Sequence, residues 1–147
     1  MPTNEVEVLL VEDSPDDREL AMLSFKRNRL ANNIQIARDG EEALDILFSR
    51  GEHANAKPSN PKVILLDIKL PKVDGLEVLR AIKADERTRM IPVVVMTSSA
   101  EQRDMVESYR LGVNSYVQKP VDFAKFQDVM KQLGFYWLVI NKTPGSE

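Results

Sequence analysis

Cysteine is missing from this chain, which excludes disulfides, thiolate metal centres and cysteine nucleophiles. The single histidine, His53, excludes a two-histidine metal site within one copy. No apolar run approaches the ~20 residues of a membrane span. The first, Val6 to Val11, is interrupted by Glu7 and has no cationic segment ahead of it. Neither a spanning helix nor a signal peptide is therefore expected, and the cytoplasm is the default location. An excess of cations is also lacking: 20 Lys and Arg face 23 Asp and Glu, for a net charge of −3. That excludes a broadly basic surface for neutralising nucleic-acid phosphates. No low-complexity tract and no internal repeat is visible.

What is present is a globular composition, 43% hydrophobic and 29% charged, over 147 residues. This length suits one domain, burying about 68–70% of the surface of its unfolded chain. Short apolar runs alternate with amphipathic stretches. Val6–Val11, Ile34–Ala37, Val63–Leu66, Val93–Met96 and Ser115–Gln118 read as five strands. The third and fourth are continuous and rich in β-branched residues, the pattern of strands covered on both faces. Helix start signals lie between them. Ser14 precedes Pro15 and Asp17, and Asp39 precedes Glu42. Asp74 with Glu77 and Ser99 with Gln102 repeat the spacing from cap to third residue, and Asp122 opens a fifth helix. The alternation predicts an α/β fold, a doubly wound five-stranded parallel sheet flanked by five helices, with an extended C-terminal helix or tail. One connection, Gly51 to Pro61, is longer than usual between helix and strand and reads as a solvated loop carrying His53.

In such sheets ligands bind outside the carboxyl ends of the strands. Glu12 and Asp13 follow the first strand, Asp67 the third, Thr97 the fourth, and Lys119 with Pro120 the fifth. Each alone is a common cap or surface residue; their joint placement is not. Three neighbouring carboxylates repel unless a cation intervenes, and all-oxygen ligands favour a hard divalent ion, Mg²⁺ first. With an ammonium from Lys119 and a hydroxyl from Thr97, the set would stabilise the oxygens of a transferring phosphoryl group. A carboxylate there is also a possible covalent acceptor.

These residues, with Leu70-Pro71-Lys72-Val73-Asp74-Gly75 as a loop signature, resemble the receiver domains of two-component signalling, the CheY-like fold. The resemblance runs from about Val6 to Leu133. It implies that Asp67 is the phosphoacceptor and that Asp13, Asp67 and the backbone carbonyl of Lys69 bind Mg²⁺, Glu12 acting through a metal-bound water. It further implies that Lys119 pairs with the phosphate and that Thr97 moves to bond it, vacating space for the switch residue Tyr116. A cis bond before Pro120 would aim the lysine inward, and the fourth helix, fifth strand and fifth helix would form the readout face. Lys69, two residues after the acceptor, either shields the phosphoryl group from water or points into solvent.

The whole chain reads as one receiver, with residues 134–147 as a C-terminal extension too short for a DNA-binding output unit, so action in trans is expected. Phe123, Phe126, Met130, Leu133, Trp137 and Ile140 form a heptad-like stripe. Up to Leu133 it packs on the sheet. The apolar run from Phe135 to Ile140 is too rich to leave in water and points to a homodimer through Phe126, Met130, Trp137 and Ile140, unless Gly134 ends the helix. Loop, tail and the lack of an output domain are similar to the small response regulators partnered with cyanobacterial or bacterial phytochromes. That implies a light-sensing histidine kinase as donor, an unknown downstream protein as target, and no direct nucleic-acid or membrane partner. The chain would then be a signalling phosphoacceptor, not an enzyme. Rival readings are a phosphorylation-independent scaffold, a Mg²⁺-dependent phosphohydrolase and an FMN binder. The phosphohydrolase lacks a second aspartate, since Lys69 stands there; the FMN binder is opposed by the acidic run Glu12 to Asp17.

Overall fold

The computed structural model describes residues 8–28 and 33–119, and beyond them Ala124, Asp128 and Lys131. The order is β1 (Val8–Val11), α1 (Pro15–Asn28), β2 (Ile34–Ala37), α2 (Gly40–Phe48), a 3₁₀ turn at Gly51–His53, β3 (Val63–Leu66), α3 (Gly75–Ala84), β4 (Val93–Thr97), α4 (Gln102–Leu111) and β5 (Ser115–Gln118). All strand pairs are parallel, in the spatial order β2-β1-β3-β4-β5. This is the doubly wound sheet expected. Ala124, Asp128 and Lys131 are each helical and exposed, and with spacings of four and three they share one helix face. Val6, Pro120, Asp122 and the stripe residues Phe123, Phe126, Met130, Leu133, Trp137 and Ile140 lie outside the described residues, as does the bond before Pro120.

Every residue of β1, β3 and β4 is buried, which is why these segments read as unbroken apolar runs. Alternate residues serve opposite faces. Leu9, Val11, Ile64 and Leu66 pack with Ile46 and Leu47 of α2 and Val78, Leu79 and Ile82 of α3. Val8, Leu10, Val63 and Leu65 pack with Ala21 of α1. Each fully buried aliphatic side chain contributes about 1.5–3 kcal/mol. β2 and β5 lie at the sheet edges, and most of their residues are half-buried or exposed.

The helix starts follow the sequence at α1 and α2. The Ser14 hydroxyl accepts from Asp17 N at 3.3 Å, and Asp39 accepts from Glu42 N at 2.8 Å. At α3 Asp74 accepts from Leu76 N, one residue earlier than the spacing to Glu77 implied. At α4 the expected Ser99 cap is not formed. The capping position is Glu101, without a side-chain cap bond; the Ser99 hydroxyl accepts from Glu101 N at 3.3 Å, just ahead of the helix, and donates to Asp104. Gly75 opens α3 against the chain after β3: its N–H donates to Ile68 O at 2.9 Å, and an added Cβ would strike Asp67 O and Ile68 Cα, both backbone. Gly75→Ala is expected to cost about 1–3 kcal/mol, read as a lowered urea midpoint, because backbone cannot rotate away.

Candidate functional site

The sheet ladder runs one residue past three strands and so fixes the site. Glu12 N donates to Ala37 O at 3.0 Å, Asp67 N to Val11 O at 3.0 Å, and Lys119 N to Thr97 O at 2.7 Å. The register pairs Val11 with Leu66, which sets Glu12 beside Asp67 at the switch point between β1 and β3. Glu12 is 2% exposed, Asp67 4% and Thr97 0%, whereas Asp13 is exposed. Glu12, Asp13 and Asp67 each offer a carboxylate oxygen, and these lie within 4.8 Å of one another.

Lys119 sits among the carboxylates. Its Nζ is 2.7 Å from Glu12 Oε1, 3.0 Å from Asp67 Oδ2 and 2.8 Å from Asp17 Oδ2. In the sequence Asp17 marks a helix start and closes an acidic run; in the structure the first turn of α1 delivers its carboxylate to an ammonium 102 residues away in sequence. Burial alone would lower the pKa of Lys119; its hydrogen bonds to Asp17 and Glu12, with the Asp67 charge, outweigh it and hold the lysine above its ordinary value. Arg18 and Ser14 complete the frame: Arg18 donates to Glu12 O at 3.0 Å, and Ser14 N to Glu12 Oε2 at 3.2 Å.

Glu12 is pushed up to about 7. Burial is the first cause; the Lys119 hydrogen bond opposes it and the Asp67 charge adds to it. Mutual repulsion, the cause expected from the sequence, is thus secondary to desolvation. The sign follows from linkage. Between about 4.5 and 7 the folded protein keeps a proton on Glu12 that the unfolded chain has lost, so this group's contribution to stability falls as pH rises through that window. A divalent cation competes with that proton. Its apparent affinity for the metal-free protein is expected to rise up to about tenfold per pH unit below 7 and to flatten above, as checked by Mg²⁺ titration calorimetry from pH 6 to 8.

The outer rim is a second network. Thr97 Oγ1 accepts from Ser99 N at 3.2 Å, and Ser99 Oγ donates to Asp104 Oδ2 at 2.5 Å. Lys69 meets Asp67 through its backbone and Asp104 through its half-exposed side chain. Its N–H donates to Asp67 Oδ1 at 3.0 Å, while its Nζ lies 3.5 Å from Asp104 Oδ2. The Ser99 hydrogen bond leads in holding Asp104 below the usual carboxylate range, against burial. Tyr116 OH donates to Ser99 O at 3.3 Å, and burial raises its pKa. Nothing in the sequence marked Asp104, since a polar residue in the first turn of α4 is ordinary. His53 borders a cleft with Asp45 and Glu52 that none of the strand-end residues lines.

The structure therefore brings together Glu12, Asp13, Asp67, Thr97 and Lys119, with Lys69 and Tyr116 at the rim. Residues 8–131 match the family described as the response regulator receiver domain. The chain belongs to that family. Among relatives of this receiver, the probable methanogenesis regulatory protein FilR2 of Methanothrix harundinacea is 43% identical over 94% of this chain and 87% of its own. Response regulator Rcp1 of Synechocystis sp. is 38% identical over 89% of this chain and 88% of its own. The Mn²⁺-bound crystal structure of Rcp1 superposes with a TM-score of 0.77 over 90% of this chain and 94% of that one. The phosphorylated cyanobacterial phytochrome response regulator RcpA gives 0.79 at 36% identity, over 96% and 99% of the two chains. The bacteriophytochrome response regulator AtBRR gives 0.74 at 49% identity, over 92% and 96%. This receiver is thus related to the response regulators of phytochromes. Among the described residues no helix is long and apolar enough to cross a membrane.

Proposed function

We propose that this receiver accepts a phosphoryl group from a histidine kinase onto Asp67 in a Mg²⁺-dependent reaction and signals in trans. One observation carries the reading: a buried acceptor carboxylate with a lysine ammonium at 3.0 Å and two further carboxylates alongside. Asp13, Asp67 and the Lys69 carbonyl would hold the ion, with Glu12 acting through a water. The donor set fits, being all hard oxygen and net negative, and the Mn²⁺-bound relative supports it. When bound, the ion neutralises charge on the transferring phosphoryl oxygens.

The chain's own residues do the rest. A carboxylate oxygen of Asp67 attacks phosphorus; the bond to the kinase imidazole nitrogen breaks, and that nitrogen keeps the electron pair and takes a proton. Lys119, already in contact with Asp67, pairs with the phosphoryl oxygens as they arrive. Thr97 offers its hydroxyl from the neighbouring strand end. Its movement loosens the bond from Ser99 N, and the Ser99–Tyr116 contact carries the change to β5. A new charge thereby biases a local packing choice.

The phytochrome-type kinase is inferred from Rcp1, RcpA and AtBRR. Residues 1–147 are read as one receiver with 134–147 as an extension, and the stripe through Phe126, Met130, Trp137 and Ile140 supports a homodimer. The test is incubation with Mg²⁺ and acetyl phosphate, read by intact mass and by light scattering for association. A single added phosphoryl group that needs Mg²⁺ is expected; no added mass would refute the reading.

A further inference from the structure

Lys69 is the one cation besides Lys119 whose backbone or side chain touches Asp67 among the described contacts, and its charge is held elsewhere. Its partner, Asp104, is 6% exposed in the first turn of α4 and is bound twice over through its side chain, by Ser99 Oγ at 2.5 Å and Lys69 Nζ at 3.5 Å. The Asp104 backbone carbonyl is also engaged, accepting from Ser108 Oγ at 2.7 Å. One carboxylate thus joins the segment after β3, the segment after β4 and the start of α4. The same Ser99 reaches Thr97 through its N–H and Tyr116 through its carbonyl.

We propose that Asp104 is a positioning residue that competes with the phosphoryl group for the Lys69 ammonium. This rests on Asp67 being the acceptor. In the unphosphorylated protein Asp104 holds Lys69 Nζ across the rim. A phosphoryl group on Asp67, two residues from Lys69 and more highly charged than one carboxylate, draws the ammonium inward. Lys69 then screens the acyl phosphate from water, and Asp104 is left with Ser99 alone. The first turn of α4 loses a tie to the acceptor segment when the site fills. The partition is finely set because the Lys69 end of the pair is half exposed and its ammonium stands 3.5 Å from the buried Asp104 carboxylate, so water competes for the charge.

The experiment uses wild type, Asp104→Asn, Lys69→Ala and the double variant. Each is phosphorylated with acetyl phosphate and Mg²⁺ and stripped of donor, and the decay is followed by intact mass. Asparagine keeps an oxygen for the Ser99 hydroxyl while removing the charge that holds Lys69. Its phosphorylated form is expected to live about two- to fivefold longer, the range set by a weak exposed pair. Lys69→Ala should live shorter than wild type, and the double variant should match Lys69→Ala. A wild-type lifetime in either single variant, or an Asp104→Asn effect that survives without Lys69, would overturn the proposal. A second arm needs no phosphorylation: amide exchange at residues 102–105 should quicken in unphosphorylated Lys69→Ala, and unchanged exchange would overturn the tie itself. That arm also decides the matter if Asp104→Asn does not fold, since Lys69 is exposed and tolerant. If wild type takes up no phosphoryl group, the acceptor reading fails, while the exchange arm still judges the tie.

Discussion

Asp67→Asn is expected to take up no phosphoryl group under conditions where the proposed reaction adds one to each wild-type chain. The carboxamide has the shape of the acceptor, and its oxygen can still accept from Lys69 N. Its oxygen carries no negative charge and its nitrogen is a poor nucleophile, so the attacking atom is lost while the scaffold remains. Folding should be spared. The substitution removes one of the two charges that burial forces against each other, and the Asp67 charge is among the causes that raise Glu12. The Glu12 pKa should therefore move down toward the ordinary carboxylate range, and Mg²⁺ affinity should fall because one oxygen ligand of three is neutralised. Intact mass after acetyl phosphate treatment, with circular dichroism melting alongside, checks both halves. A variant that still gains the phosphoryl mass would place the acceptor elsewhere.

Lys119→Met has the second large effect, and it acts on two properties at once. The methionine matches the lysine stem but brings no charge to Glu12 Oε1, Asp17 Oδ2 and Asp67 Oδ2. Two of those carboxylates are almost wholly buried. Removing one partner from a buried ion pair costs about 3–5 kcal/mol. The cost depends on pH in a definite direction. Without the ammonium, Glu12 loses the hydrogen bond and charge that oppose its burial and holds its proton still more tightly folded than unfolded, so the metal-free variant should be near wild-type stability in acid and lose ground as pH rises. Urea unfolding at pH 5 and pH 8 measures this; a pH-independent loss would contradict the ion-pair account. Mg²⁺ should restore part of the stability at pH 8 by supplying the missing positive charge. Phosphoryl uptake should slow by about 10²–10³, the usual effect of losing one charge-stabilising donor aimed at a transferring group.

The two substitutions separate the acceptor from its electrostatic frame. One is expected to abolish the proposed chemistry and leave the fold; the other is expected to slow that chemistry and weaken the fold in a pH-dependent way. A scaffold that never carries phosphate would show the stability effects without the loss of uptake.

Much of this protein is determined by local order along the chain. Strands buried on both faces must be apolar throughout, so Val63–Leu66 and Val93–Met96 declared themselves, as did the polar residues that end them. Helix starts at Ser14 and Asp39 were legible because a cap bonds an amide only two or three residues away. Asp67, Asp13, Glu12, Thr97 and Lys119 follow from those strand ends, since a parallel sheet aligns all its carboxyl edges on one side. Tertiary structure decided what depends on reach between distant segments. It set Asp17 on Lys119, placed the Ser99 hydroxyl between Glu101 N and the Asp104 carboxylate, and engaged Lys69 with Asp104. It also made burial, more than repulsion, the cause of the raised Glu12. The reason is physical: periodicity and capping act over a few residues, whereas desolvation and ion pairing depend on which surfaces meet once the sheet and its helices have closed.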